Sequence, residues 1–381
     1  MFPTIGHFIN HFFGTSFELP IPTFGFFVAL AFFFSFLVFR SEFKRKEKNG
    51  EISAFIPSSV ATWKHNLFLV VGFGILAFLI GFKGYALILQ PQFMVRDPFD
   101  LLFSMEGHWT MGIIMSLLTV VIVVIIISRK SKQTTVIDPI RPYQLTPLML
   151  LCCAIAGFLG AKLFNIVEDW GMLQTYGFFE MLKRSGLTFY GGLVFGAIAY
   201  FIIGIRYGIS WKPLVDIGAM GMLVAYSVGR MGCHFSGDGD WGIVNMNPKP
   251  FSWLPDSLWA SCFPHNVIEQ GVQIAGCSGK YCMVLTDPVF PTSAYEVIII
   301  GLAFIILWLF RNRFKTAGLV ACIYFFIIAI ERFLIEMIRV NYKFDVLGIP
   351  LSEAQIISVF IGIIAIVLAI YLRKTNLKPM K

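Results

Sequence analysis

The chain has 381 residues, of which 57% are hydrophobic, 16% aromatic and only 14% charged. Soluble domains run at about 45–50% apolar and about 25% charged, so the composition excludes an ordinary soluble fold and indicates a polytopic membrane protein. A net charge of +8 invites a nucleic-acid partner, but most Lys and Arg stand in short clusters beside apolar runs, as in cytoplasmic loops.

Residues 1–13 carry no Lys or Arg ahead of the first apolar run, which is not the layout of a secretory signal peptide. His7 and His11 are four apart and share a helix face, which reads as an interfacial amphipathic helix rather than a metal pair. Taking about 20 apolar residues per span, nine transmembrane helices are expected, over 20–39, 67–90, 111–128, 146–167, 190–205, 214–233, 294–310, 318–338 and 354–372. The class is all-α. Basic clusters at Arg40 to Lys48, Arg129 to Lys132, Arg206 with Lys212, Arg311 to Lys315 and Arg373 to Lys381 fall on alternate sides. The positive-inside rule then puts the N-terminus outside and the C-terminus in the cytoplasm.

The longest extracytoplasmic loop, 235–291, is rich in Gly, Pro, Trp and Ser. It holds Cys262, Cys277 and Cys282, with Cys233 at the membrane edge, and an oxidising exterior allows one or two disulfides among them. Spacing does not fix the connectivity. Trp241, Trp253 and Trp259 read as interfacial anchors. Asp238 and Asp240 imitate the start of a calcium loop, but Gly242 and Lys249 occupy its fifth and twelfth positions, so no metal site is expected.

The stretch 229–242 holds an arginine, five glycines, two acids, a His and a Trp at the end of a span. An arginine inside a bilayer costs about 2.5–3.5 kcal/mol on insertion scales and faces a cavity, a partner or a ligand. Counting about 1.5 Å per residue from the cytoplasmic ends, Arg230 lies roughly 25 Å across and Arg332 roughly 21 Å. Lys162 has a similar height, and Tyr190, Tyr295 and Glu296 begin spans from the outside, so the polar groups gather in the outer third. Arg332, Glu336 and Arg339 share one helical face. An intrahelical ion pair explains Arg332 with Glu336 but not two further cations, Arg230 and Lys162, at the same level. Surplus positive charge there calls for an anion, and the planar guanidinium suits a phosphate. The reading is a site for an anionic lipid headgroup.

Taken in order, these segments resemble the bacterial phosphatidylglycerol–prolipoprotein diacylglyceryl transferases. Gly160-Ala161-Lys162-Leu163 is similar to the family's Gly-Ala-Arg-Leu, and Leu187-Thr188-Phe189-Tyr190-Gly191-Gly192 to its Ser-Phe-His-Gly-Gly. The run from Gly229-Arg230-Met231-Gly232 to Gly242 resembles its long signature. Phe290-Pro291-Thr292-Ser293-Ala294-Tyr295-Glu296 is similar to His-Pro-Thr-Gln-Leu-Tyr-Glu, and Glu331-Arg332-Phe333-Leu334-Ile335-Glu336 with Arg339 to Phe-Arg-Phe-x-x-Glu with its following Arg. Tyr190 stands where many members have His, Cys233 where Asn is common, and Ile328 where a Tyr precedes the arginine by one turn. The family's seven spans plus an inserted two-helix hairpin over 51–138 would give nine, within one transferase domain over 1–381.

The resemblance implies transfer of a diacylglyceryl group from phosphatidylglycerol to the lipobox cysteine in a prolipoprotein signal peptide, releasing glycerol phosphate. It places the protein in the bacterial cytoplasmic membrane with its site toward the outer leaflet. Arg230 and Arg332 would hold the phosphate, with Arg339, Lys162, Gly242, Tyr295, Glu296 and Asp238 around the lipid. Glu336 would orient Arg332, and Glu296 another cation or the headgroup glycerol. The base stays open among Tyr190, His234, Asp238 and Asp240. No metal or organic cofactor is required by this chemistry. The rival readings are a secondary transporter of an anionic solute, which predicts internal repeats, and an inactive relative that binds lipid or prolipoprotein.

Overall fold

The computed structural model describes residues 1–16, 19, 21–55, 59–89, 106–132, 139–184, 186–341, 343–346 and 349–376. Residues 20, 90 and 138, which bound expected segments, and Lys381 lie outside the described residues, as does the middle of the expected hairpin. The principal helices are α1 (Ile5–Phe13), α2 (Thr23–Lys48), α3 (Ser59–Leu79), α4 (Trp109–Lys132), α5 (Thr146–Glu168), α6 (Phe189–Arg206), α7 (Trp211–Ser236), α8 (Thr292–Phe310), α9 (Leu319–Glu336) and α10 (Glu353–Asn376). Two two-stranded ribbons accompany them, β1 (Val272–Gln273) with β2 (Met283–Val284), and β3 (Lys343–Val346) with β4 (Ile349–Ser352). The molecule is a mostly helical, multi-pass membrane protein.

Among the described residues, eight helices are long and apolar enough to cross a bilayer. The ninth expected span is present as α9, an 18-residue helix, but it carries Glu331, Arg332 and Glu336 and so falls outside a purely apolar description. Most helices outrun the expected spans. α2 continues through its basic turn to Lys48 because Arg, Lys and Glu are good helix formers once the chain has left the apolar layer.

Contacts divide the chain into two compact units, Met1–Phe43 with Lys212–Lys381, and Lys44–Trp211. In the first unit, Val38 of α2, Met220 and Leu223 of α7, Ile300 and Leu307 of α8 and Val320 of α9 form one buried cluster. Lipid tails are as apolar as these side chains, so close backbone approach does the work of association. Gly221 meets the Phe39 ring, where a Cβ would stand 2.6 Å from it, and Ser35 donates to the Gly221 carbonyl at 3.2 Å. Helix α9 is capped from another helix. Its N-cap is Gly318, which has no side-chain oxygen, and Asp216 of α7 accepts the Gly318 and Ala321 amides at 2.8 and 3.0 Å.

Helix α1 is N-capped by Thr4 and held against the end of α7, with the Phe2 amide donating to Phe235 O at 2.7 Å and the Phe2 and Phe8 rings against Phe235. His7 turns to Thr4 and His11 to the Phe2 ring. The loop 237–291 folds around Phe263, Leu285 and Val289. Buried Asn266 donates to the carbonyls of Phe263, Gln270 and Met283. Cys277 and Cys282 form a disulfide, while Cys233 and Cys262 are free thiols. Two of the three loop tryptophans have interior work: Trp241 packs on Phe263 at 5.0 Å, and Trp259 Nε1 donates to Asn247 O at 2.8 Å. Only Trp253 stands out, 75% exposed and stacked on Phe251.

In the second unit, glycine seams join the helices in pairs. A Cβ on Gly81 would lie 2.6 Å from the Met111 carbonyl of α4. Gly160 of α5 and Gly191 of α6 each face the other's carbonyl, where a Cβ would stand at 2.5 and 2.3 Å. These glycines let two helices touch backbone to backbone.

Candidate functional site

The site is built in the first unit from α7, the following loop, α8 and α9. Arg230 lies near the C-terminal end of α7, which runs on to Ser236. Glu296 faces it from the first turns of α8, fully shielded from solvent at 0% exposure. Arg230 contacts Glu296 through both Nε and Nη2, the latter donating to Oε1 at 3.0 Å. Arg332 Nη1 and Arg339 Nη1 each stand 3.7 Å from the same oxygen. One buried carboxylate is thus the centre of three guanidiniums. Asp240 forms a second centre, accepting from both Arg230 and Arg339. Glu336 stands 3.3 Å from Arg332 Nη2 and accepts from Asn341. A charge buried with its partner is tolerable where an unpaired one is not.

The loop delivers Asp240 by backbone geometry. Gly237 and Gly239 sit in the left-handed region, φ +66° and +99°. Gly242 then pairs with Arg339 in an isolated bridge, its amide donating to Phe290 O and the Ile243 amide to Ile338 O, both at 2.8 Å. A Cβ at Gly242 would come within 2.4 Å of Ile338 O. Thr292 donates to Asp240 O at 2.9 Å. The segment carrying Asp240 is therefore clamped to the end of α9 and the start of α8.

Burial pushes the Asp240 carboxyl up, but the Arg230 and Arg339 guanidiniums outweigh it and hold the group below the usual carboxylate range. Asp238 goes the other way: burial raises it against the hydrogen bond from the Cys233 thiol. Cys233, Asp238 and Asp240 bring ligand-type atoms within 4.8 Å of one another. They are a poor cation cage, since Asp240 is committed to two guanidiniums and Arg230 Nη1 lies 3.5 Å from the Cys233 sulfur.

Of the residues named from sequence, Arg230, Glu296, Arg332, Glu336, Arg339 and Gly242 come together here. The arginines are not surplus charge: Asp240, Glu296 and Glu336 match them in number. Arg332 has the longest contacts and the most open side chain of the three, 28% exposed. His234 stands one turn beyond Arg230 with Nδ1 3.3 Å from Ser293 Oγ, between the rings of Phe235 and Phe263. Tyr295 neighbours Glu296 on α8 and is half-buried. Lys162 and Tyr190 belong to the second unit, where Lys162 is buried and donates to the Arg184 carbonyl, and Tyr190 is an exposed residue in the first turn of α6. From the sequence alone, Asp240 reads only as a candidate base or a calcium-loop mimic. The run of left-handed glycines around it was the available signal for a side chain brought back onto the helices.

The described site is a set of arginines caged by carboxylates near the ends of membrane-length helices. The family model described as prolipoprotein diacylglyceryl transferase matches residues 103–371, most of the chain. The chain belongs to this family of transferases. It is 29% identical over 226 residues to the phosphatidylglycerol–prolipoprotein diacylglyceryl transferase of Clostridioides difficile (strain 630), covering 58% of this chain and 75% of that one. The enzyme of the same name from Streptococcus uberis (strain ATCC BAA-854 / 0140J) is 26% identical over 291 residues, covering 75% and 96%. That of Mycobacteroides abscessus is 25% identical over 221 residues, covering 56% and 61%.

Proposed function

We propose that this chain transfers the diacylglyceryl group of phosphatidylglycerol to the lipobox cysteine thiol of prolipoproteins. The observation that carries the reading is the guanidinium set of Arg230, Arg332 and Arg339 around Glu296, within a chain of the transferase family. The sulfur forms a bond to the glyceryl CH₂ carbon. The bond from that carbon to the phosphate oxygen breaks, its electron pair leaves on the oxygen, and the thiol proton passes to a base and then to water. Arg332, the most open of the three, meets the phosphate first. Arg230 and Arg339 stabilise the leaving oxygen as its charge grows, in the manner of an oxyanion hole. Glu336 and Glu296 keep the guanidiniums oriented. The same cations favour the thiolate of the incoming cysteine.

The reading places the protein in the bacterial cytoplasmic membrane, N-terminus outside, with loop 235–291 extracytoplasmic and the site toward the outer leaflet. This reading keeps a single transferase domain over 1–381 with a helical hairpin inserted over 51–138. The test is a purified transfer assay with phosphatidylglycerol and a lipobox peptide. Wild type should make the thioether-linked diacylglycerol, and Arg230→Ala and Arg332→Ala should each lose roughly 100-fold or more. Arg230→Lys with full activity would refute bidentate phosphate holding. Tyr190→Phe decides whether that hydroxyl takes part in the chemistry. Folded, lipid-bound protein that yields no product would identify a binding relative instead.

A further inference from the structure

Seven buried side-chain atoms among the described residues lack a hydrogen bond, and five belong to this cluster: Arg230 Nε, Glu296 Oε2, Glu336 Oε2 and both oxygens of Glu331. The first three lie in ion pairs. Glu331 is different. It is 1% exposed, and among the described residues it has neither an ion pair nor a well-formed hydrogen bond. Tyr226 on α7 lies beside both Glu331 and Arg230, with the Arg230 guanidinium 5.7 Å from its ring centre.

Buried polar groups are almost always satisfied, and an exception marks a place a ligand or water completes. Glu331 offers two acceptor oxygens and calls for donors. The three arginines of the site are already matched by Asp240, Glu296 and Glu336, so no side-chain cation is left for it. Those same guanidiniums, one belonging to the adjacent residue Arg332, disfavour a cationic ligand such as an ammonium headgroup. Neutral hydroxyl donors remain: the Tyr226 phenol can serve one oxygen, and a ligand held by Arg332 can bring hydroxyls to the rest.

We infer that Glu331 is the subsite that recognises the hydroxyl groups of the donor's glycerol headgroup. Its two oxygens accept the headgroup hydroxyls while Arg332, the next residue, holds the phosphate. The arrangement parallels the acidic residue that reads a ribose hydroxyl beside a bound pyrophosphate in dinucleotide folds. A site built to accept hydroxyls rejects a ligand lacking them, because its own buried acceptors are left unpaired. The inference rests on the transfer reading above and adds its headgroup specificity.

The test compares phosphatidylglycerol with phosphatidylpropanol, which keeps the phosphodiester and lacks both headgroup hydroxyls, in the same transfer assay. Wild type should lose roughly 10- to 100-fold in kcat/KM on the propanol lipid. Glu331→Gln should fall on phosphatidylglycerol toward the propanol value, bringing the ratio between the lipids near one. Equal use of both lipids by wild type overturns the inference alone, whatever becomes of the variant, and so does an unchanged ratio in Glu331→Gln. No product from phosphatidylglycerol sinks the transfer reading together with the inference. Soluble glycerol phosphate and propyl phosphate serve as inhibitors in a second arm. If glycerol phosphate is preferred there while the lipids are not distinguished, recognition belongs to the released product and the donor assignment fails.

Discussion

Asp240 is bonded to Arg339, 99 residues further along the chain, and the same carboxylate also holds Arg230. An anion arriving at either guanidinium meets a carboxylate tethered to the same molecule. The two cations hold Asp240 below its ordinary range, so its ionised form stabilises the fold at neutral pH. That contribution is complete above the unfolded value near about pH 3.9 and is lost as pH falls below it. Thermal midpoints of wild type should therefore drop on acidification below about pH 4, and Asp240→Asn should show a shallower drop. Parallel curves for the two proteins would contradict the linkage.

Glu296 is the group whose loss should be felt most. Removing one partner of a buried pair leaves uncompensated charge and costs about 3–5 kcal/mol, and here three guanidiniums lose a shared centre. Glu296→Ala should unfold at much lower temperature than wild type, while Glu296→Gln should fold better and still lose transfer. A Glu296→Ala protein with an unshifted thermal midpoint would show that the arginines are held by other means.

Gly242→Ala tests the clamp rather than the charges. The new Cβ meets Ile338 O, so the bridge to Arg339 must open. Overpacking of this kind costs about 1–3 kcal/mol. The expected result is a lowered thermal midpoint with a raised KM for lipid, since Arg339 moves with its backbone. A change in stability without a change in KM would separate the clamp from the site.

A fourth test lies in the second unit. Gly191→Ala drives a Cβ into the Gly160 carbonyl and pushes the Phe164 side chain. Helices α5 and α6 should separate, at about 1–3 kcal/mol. Faster proteolysis or greater solvent access at Tyr190 is the measurement, with Gly171→Ala, which meets nothing within 4 Å, as the control.

Helix existence was legible because apolar length is a direct demand of the bilayer. Counting residues along the helices set Arg230, Arg332, Glu296 and Lys162 at one level; the first three meet in one site, while Lys162 lies in the other unit. What counting does not supply is the partner. Asp240 returns to the helices through a glycine turn with positive φ, which has no periodicity to read, so the arginines looked unmatched. Glu331 stands in the sequence as one letter of a motif, and only its 1% exposure in the fold sets it apart. The tryptophans of the loop looked like membrane anchors by composition, but Trp241 and Trp259 serve a loop core that forms only once residues 237–291 fold on themselves.

Helix α9 carries Glu331, Arg332 and Glu336 within 18 residues, and each charge alone would cost about 2.5–3.5 kcal/mol at the centre of a bilayer. Such a segment is a poor candidate to leave the translocation machinery by itself. Only residues 311–318 join α8 to α9, opening with the turn Arg311–Arg313, and α8 carries the Glu296 that Arg332 approaches. The two helices are thus equipped to enter the membrane as a joined pair, each hiding the other's charge. On this view the ion pair is first a condition of biogenesis: chains ending after α8 would strand Glu296 without Arg332 and Arg339, and quality control would meet them before any substrate did.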